Sequence, residues 1–219
     1  DLDRRVGGAG VWRTDDWTRV RDLPARAPHR GGGTDVVFAP DSRYVLFARY
    51  GGATLLALDG GADVPLPATA DQLVWAVAYA ADGRLVATSN ETGEVVVWSA
   101  ATGEPLLRLA PGALVMQVQF TADSQRLLTG AFDHTVTEWD VATGLPLARQ
   151  TTPDEVYWLA SSPDGTAVAI GTLAAAMRWT LPRPMATTGE LVDATRCRAG
   201  HRLRDLNLVP EPNRPATCR

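Results

Sequence analysis

Residues 74–109 read VWAVAYAADGRLVATSNETGEVVVWSAATGEPLLRL, four short apolar runs separated by three turns. Val74–Tyr79 stops at Ala81-Asp82-Gly83, and Leu85–Thr88 stops at Asn90-Glu91-Thr92-Gly93. Val95–Trp98 stops at Ala101-Thr102-Gly103, after which Pro105–Leu109 closes the unit. Gly, Asp and Asn tolerate the backbone angles that reverse a chain, and short runs rich in Val, Trp and Tyr form strands. No helical period competes within the window. The spacing predicts a four-stranded antiparallel meander.

The unit recurs. The turn between its first two strands returns at Asp41, Asp82, Asp123 and Asp164, each step being 41 residues. The third-run tryptophan returns from Trp98 to Trp139 at the same step, and one residue early at Trp179. Ala101-Thr102-Gly103 returns as Ala142-Thr143-Gly144. A fixed period in the forties with four strands per copy is the signature of propeller blades, which bury their faces against one another because none can do so alone. The chain is therefore expected to be all-β, a β-propeller of four-stranded antiparallel blades with a 41-residue period. About four blades and a half are expected, an incomplete ring, with a small ring closed by the N-terminal strand as the alternative.

Ser162-Pro163-Asp164-Gly165 and the blade-ending dipeptide Trp139-Asp140 resemble the WD-repeat family, and the likeness runs over residues 6–182. What the resemblance implies is a ring of blades around a channel, used as a binding platform. Residues 1–30 are read as a half blade, because Val11-Trp12 aligns with Val97-Trp98 and Val20–Leu23 with Leu106–Leu109. Full or nearly full blades are read at 34–68, 73–110, 114–150 and 155–182, a propeller region over 1–184. In the second blade the strands are expected at Val36–Phe38, Tyr44–Ala48 and Thr54–Leu58, with Leu58 in the tryptophan's place. The fifth blade keeps three strands before Pro182 and Pro184, which cannot donate to a ladder.

A typical WD repeat ties each blade together with a His, a Ser or Thr, an Asp and the Trp. Thr129, Asp133 and Trp139 match three of these in the fourth blade, and Trp98 and Trp179 hold the tryptophan position in the third and fifth. The His is missing, since the loops before the first strands read ATADQL, APGALV and TPDEVY. Blades held mainly by apolar packing are therefore expected.

The tail, 185–219, leaves the repeat. Glu190–Ala199 can form two to three helical turns capped by Gly200, and the Arg- and Pro-rich remainder reads as extended. Cys197, Ala199-Gly200, Leu203 and Thr217-Cys218 resemble the closing segment of long bacterial signalling proteins whose WD repeats follow an effector or nucleotide-switch domain. That resemblance implies a piece of a larger cytoplasmic protein. Cys197 and Cys218 could bridge, but a cytosolic setting favours reduced thiols.

Composition excludes several functions. A formal charge of −4, with 21 basic residues, lacks the basic face that nucleic acid requires. No apolar run is long enough to span a membrane as a helix. No catalytic, cofactor or metal motif is present. His29, His134 and His201 are far apart, the cysteines have no zinc spacing, and Ser161-Ser162 lacks the glycines of a nucleophile elbow. Asp154-Glu155 reads as surface charge in a turn.

The functional candidates follow from the family resemblance. It places Trp75, Met116 and Tyr157, again 41 apart, at a bulge facing the top of the ring, where partners dock. Phe132 maps to a second such position, and Leu73, Leu114 and Glu155 to a third. Aromatic and Met side chains bury much area with few rotors, which suits an interface. Core residues between blades are the alternative reading. A non-catalytic scaffold for a protein or peptide partner, alongside upstream domains of the same chain, is the expected function. A small-ligand or enzymatic propeller is the alternative, marked by loop carboxylates and His134 gathering at one place.

Overall fold

The structure, a computed structural model, describes residues 10–23, 35–67 and 72–181, and for the backbone alone His201–Arg204 and Asn207–Pro210. The chain divides after Leu181 into two units. The first begins with an antiparallel pair, β1 (Gly10–Trp12) and β2 (Arg19–Asp22). Three four-stranded antiparallel meanders follow, each paired in chain order. The second sheet holds β3 (Val36–Phe38), β4 (Tyr44–Arg49), β5 (Gly52–Ala57) and β6 (Val64–Pro67). The third holds β7 (Val74–Tyr79), β8 (Leu85–Asn90), β9 (Val95–Ser99) and β10 (Pro105–Leu109). The fourth holds β11 (Val115–Phe120), β12 (Arg126–Ala131), β13 (Thr135–Asp140) and β14 (Pro146–Thr151). A fifth keeps three strands, β15 (Trp158–Ser161), β16 (Ala167–Gly171) and β17 (Ala176–Thr180). There is no helix among the described residues. In the second unit β18 (His201–Arg204) pairs antiparallel with β19 (Asn207–Pro210). The helix expected over Glu190–Ala199, and both cysteines, lie outside the described residues.

The 41-residue step is written into the turns. At each β3–β4-type turn an aspartate carboxylate accepts the backbone N–H two residues on: Asp41 from Arg43 (2.9 Å), Asp82 from Arg84 (3.0 Å), Asp123 from Gln125 (3.1 Å) and Asp164 from Thr166 (3.1 Å). This is the local bond that makes Asp a turn former. The Ser162 hydroxyl, the Thr166 amide and the Thr166 hydroxyl hold the Asp164 carboxyl down to about 2. A depressed carboxylate contributes stability above its unfolded value, 3.8, and loses it as pH falls toward 2. Asp164→Asn is expected to flatten the acid limb of the urea midpoint over that window, and an unchanged limb would contradict this role for the turn.

One register differs from the sequence expectation. Val86, Leu127 and Val168, 41 apart, stand opposite Trp98, Trp139 and Trp179. The equivalent Val45 stands opposite Leu56, so Leu56 rather than Leu58 fills the tryptophan's place. The reason is the tight hairpin at Tyr50-Gly51, with Gly51 at φ 84°, which shortens the connection and starts the third strand at Gly52 instead of Thr54. Leu58 lies beyond the strand and packs toward the N-terminal pair.

The core lies between sheets, and its receiving face is mostly alanine only at the junction of the third and fourth. Ala76, Ala78 and Ala87 of the third sheet receive Val118, Phe120, Leu127 and Trp139 of the fourth. Leu46, Ala48 and Leu55 of the second receive Val77, Val86 and Trp98 of the third. Leu128 and Val136 receive Val168, Ile170 and Met177 of the fifth. Polar side chains stitch the same junctions: Asp35 accepts the Val77 N–H (3.0 Å) and Gln119 the Ser161 N–H (3.0 Å). Both N–H groups lie on the first strand of a sheet, which has a ladder partner on one side only.

The two ends of this series are open. The N-terminal pair packs on Val45, Phe47 and Leu56 of the second sheet, the outer half of its leading face. The inner half is left bare: Val36 and Phe38 are 51% and 54% exposed, whereas the equivalent Val77, Val118 and Phe120 are 5%, 3% and 6% exposed. At the other end Ala160, Ala169, Ala176 and Arg178 are exposed, where the equivalent Ala78 and Ala87 are buried under the next sheet. Among the described residues no strand pairing joins β17 to the N-terminal pair. The sheets form an arc, an incomplete ring.

Candidate functional site

Because every sheet is a meander, its first strand begins, and its second strand ends, at the same rim. That rim collects the hairpins at 90–94 and 132–134 and the connectors at 110–114 and 152–157. β7 and β11 each carry a bulge there. Val74 faces Asn90 and Ala76 faces Ser89, skipping Trp75; Val115 faces Ala131 and Gln117 faces Gly130, skipping Met116. A bulge leaves the extra residue out of the ladder and re-aims its side chain. Tyr157 stands just before β15, its N–H bonded to the Gly171 carbonyl at 3.0 Å. Trp75, Met116 and Tyr157 are all half-buried, as are Leu73, Leu114, Phe132 and Glu155.

Two of these side chains meet. Phe132 and Tyr157 lie edge to face, with centroids 5.7 Å apart and planes at 79°. This geometry suits the quadrupoles of two rings. Trp158, which the sequence did not single out, sits 5.6 Å from Tyr157 and is exposed. The Trp75 indole N–H is buried with no acceptor among the described residues. Leu73 and Leu114 contribute backbone, their carbonyls accepting from Glu91 and Phe132 (2.9 Å each).

The hairpin 132–134 and the connector 152–157 are drawn together by a chain of local bonds. His134 takes a left-handed φ of 64°, and its carbonyl accepts the Thr152 N–H at 2.8 Å. The Thr152 hydroxyl donates to the Asp154 carbonyl at 2.7 Å, and the Asp154 carboxylate accepts the Glu155 N–H at 3.0 Å. As a result His134, Asp154 and Glu155 bring their donor atoms within 4.8 Å of one another. The Asp154 carboxyl is held below the usual range by its hydrogen bond with the Glu155 side chain first, then by the Glu155 amide and the charge on His134. From the sequence His134 is only one of three histidines far apart, and Asp154-Glu155 reads as surface charge; their meeting is the mark expected of the small-ligand alternative. What could have linked them is the meander itself, which returns the connector to the rim of the preceding hairpin.

The structural set resolves unevenly. The Trp139 indole donates to the Thr129 hydroxyl at 2.9 Å, and Trp98 repeats this with Thr88 at 3.0 Å. Asp133 does not join them. It accepts from the Thr135 hydroxyl at 2.6 Å and pairs with Arg149 at 3.0 Å. Trp179 faces no hydroxyl, because Ile170 stands where the others have threonine, and it packs in the apolar junction of the fourth and fifth sheets.

Residues 66–99 and 103–140 match the family model of the WD domain, G-beta repeat. Each match runs from the last strand, or the turn before it, of one sheet through the first three strands of the next, so each sequence repeat ties two blades together. These segments are WD repeats set in four-stranded antiparallel sheets. No curated protein matches the chain. WD repeats generally mediate protein–protein interaction, and propellers built from them are typically non-enzymatic scaffolds. Among the described residues no helix is long and apolar enough to cross a membrane.

Proposed function

We propose that this chain is a non-catalytic interaction scaffold, the WD-repeat region of a larger cytoplasmic bacterial signalling protein. In this reading residues 1–184 are propeller blades and 185–219 a tail, with upstream domains of the same polypeptide among its partners. A protein or peptide partner docks on the rim formed by Leu73, Trp75, Leu114, Met116, Phe132, Glu155 and Tyr157. The observation that carries it is the half-buried ring pair Phe132–Tyr157, at the rim where the bulges expel Trp75 and Met116 from their ladders. Rigid aromatic anchors at a water-accessible rim are what interface hot spots use. The bare leading face at Val36 and Phe38 supports further blades beside the arc.

Affinity capture with the 219-residue chain tests the docking face. Capture of a partner is expected to fall by about tenfold or more with Tyr157→Ala or Trp75→Ala, and to survive Leu147→Ala on an outer strand. Equal capture by all variants would remove the rim from the account. The alternative, a small-ligand site, has one observation in its favour, the approach of His134, Asp154 and Glu155.

A further inference from the structure

We propose that β1 and the bare half of the second blade's leading face form a strand-accepting groove. Its occupant is an extended segment of a partner protein with small apolar residues at alternate positions. The inference goes beyond the rim contact and does not depend on it.

The N-terminal pair repeats the outer half of a blade. The Arg13 N–H bonds to the Thr18 carbonyl as the Ser99 N–H bonds to that of Glu104, at 2.9 Å each. Both ladders shift register between the tryptophan, Trp12 or Trp98, and the valine before it. β9 has β8 on its second side, whereas among the described residues β1 pairs with β2 alone. In the third sheet the Ala100 N–H bonds to Arg84 and the Asn90 N–H to Glu94. By antiparallel alternation Val96 and Trp98 then turn their backbone toward β8. Gly10 and Trp12 hold those positions in β1. An edge of unpaired N–H and C=O groups is a template for an added strand.

The floor beside that edge is apolar. Val36 and Phe38 are exposed, whereas the equivalent Val118 and Phe120 share a core with Ala76, Ala78 and Ala87 of the preceding blade. A cleft of about 410 Å³ is lined by Val11 and Trp12 of β1 together with Phe38. The floor continues an interface already formed, since Val45, Phe47 and Leu56 of the same sheet pack with Val11 and Leu23. β8 shows what fills such a place. Its Ala87 and Ser89 are fully buried, and the Ser89 hydroxyl donates to the Val115 carbonyl of the next blade at 3.0 Å. Its Val86 and Thr88 stand opposite Trp98 and Val96 in the ladder. The sequence leading into β1 suits the floor poorly: Asp1-Leu2-Asp3-Arg4-Arg5 would set a charge against Val36 and Phe38 in either strand parity. Burying such a charge on an apolar floor is costly, so the geometry favours a strand from elsewhere.

The test titrates the 219-residue chain against a fluorescein-labelled peptide of residues 84–90, Arg-Leu-Val-Ala-Thr-Ser-Asn, read by anisotropy. Saturable binding is expected, because this strand covers the equivalent floor of the fourth blade. N-methylation at the peptide's Val and Thr, whose N–H groups would face β1, is expected to weaken binding by about tenfold or more. N-methylation at its Ala and Ser, which point away from β1, is expected to change binding little. Phe38→Asp is expected to lose a similar factor at an unchanged unfolding midpoint. Leu173→Asp, an exposed residue of the fifth blade, and Tyr157→Ala, on the rim, are expected to keep the affinity.

No saturable binding, equal effects of the two N-methyl patterns, or binding indifferent to Phe38 overturns the proposal. Self-association of the chain that releases the peptide as concentration rises would overturn the partner assignment in favour of a second copy. Binding that emerges only once residues 1–9 are deleted would overturn it in favour of the chain's own segment.

Discussion

Glu138→Ala is expected to destabilise the chain by about 3–5 kcal/mol, read from the urea midpoint at constant slope. Glu138 is fully buried on β13 and pairs with the Arg126 guanidinium on β12. Both side chains share the face of Leu128, which turns toward the fifth sheet, so the pair sits inside an interblade junction. Burial raises the Glu138 carboxyl above its usual value, and Arg126 opposes that rise. A raised carboxyl gives stability below the unfolded value, 4.5, that is lost as pH climbs through the folded one. The ion pair is thus a costly arrangement kept tolerable by its partner. Removing Glu138 takes away the carboxylate closest to a buried guanidinium, which keeps the longer pair with Asp123 at 3.6 Å. Replacing both together, Arg126→Met with Glu138→Leu, is expected to recover most of the loss or exceed it, because apolar pairs of similar volume fill such junctions without a desolvation cost. A single variant with no effect would mean that the junction is wet.

Trp139→Ala is the second large effect, about 3–5 kcal/mol. The ring is buried against the third sheet, and its indole N–H satisfies the Thr129 hydroxyl. Trp139→Phe keeps most of the apolar area and loses the donor, so about 1 kcal/mol is expected. Trp98→Ala should resemble Trp139→Ala, since Trp98 repeats both the burial and the bond to Thr88. Trp179→Ala should cost less, because that ring is half-buried at the open end and faces Ile170. Equal losses at all three tryptophans would show that the open end is covered in solution.

Much of the fold was legible because a blade is local. Turn residues fix where each strand ends, and Asp41, Asp82, Asp123 and Asp164 mark the same turn four times. Period-2 alternation then assigns each side chain to a leading or trailing face. The second blade misled at Leu58 because a shortened hairpin shifts the register without changing the composition around it. The rim was harder to read. A bulge position such as Trp75 follows from spacing, but the approach of His134 to Asp154 and Glu155 crosses 20 residues and depends on a left-handed backbone at His134 and on the Thr152 bonds. Asp133 looked like part of the tryptophan network by position. Without the usual histidine it turns outward to Arg149 instead.

The open arc of blades is the claim on which the rest stands, and thiol labelling tests it directly. In a background with Cys197 and Cys218 replaced by serine, Phe38→Cys and Phe120→Cys place a thiol at the same position of two blades. The account predicts fast labelling at residue 38, where the phenylalanine is exposed, and strong protection at residue 120, beneath the third sheet. Equal protection at both would contradict it, and would mean that the ring closes or that another segment covers the leading face.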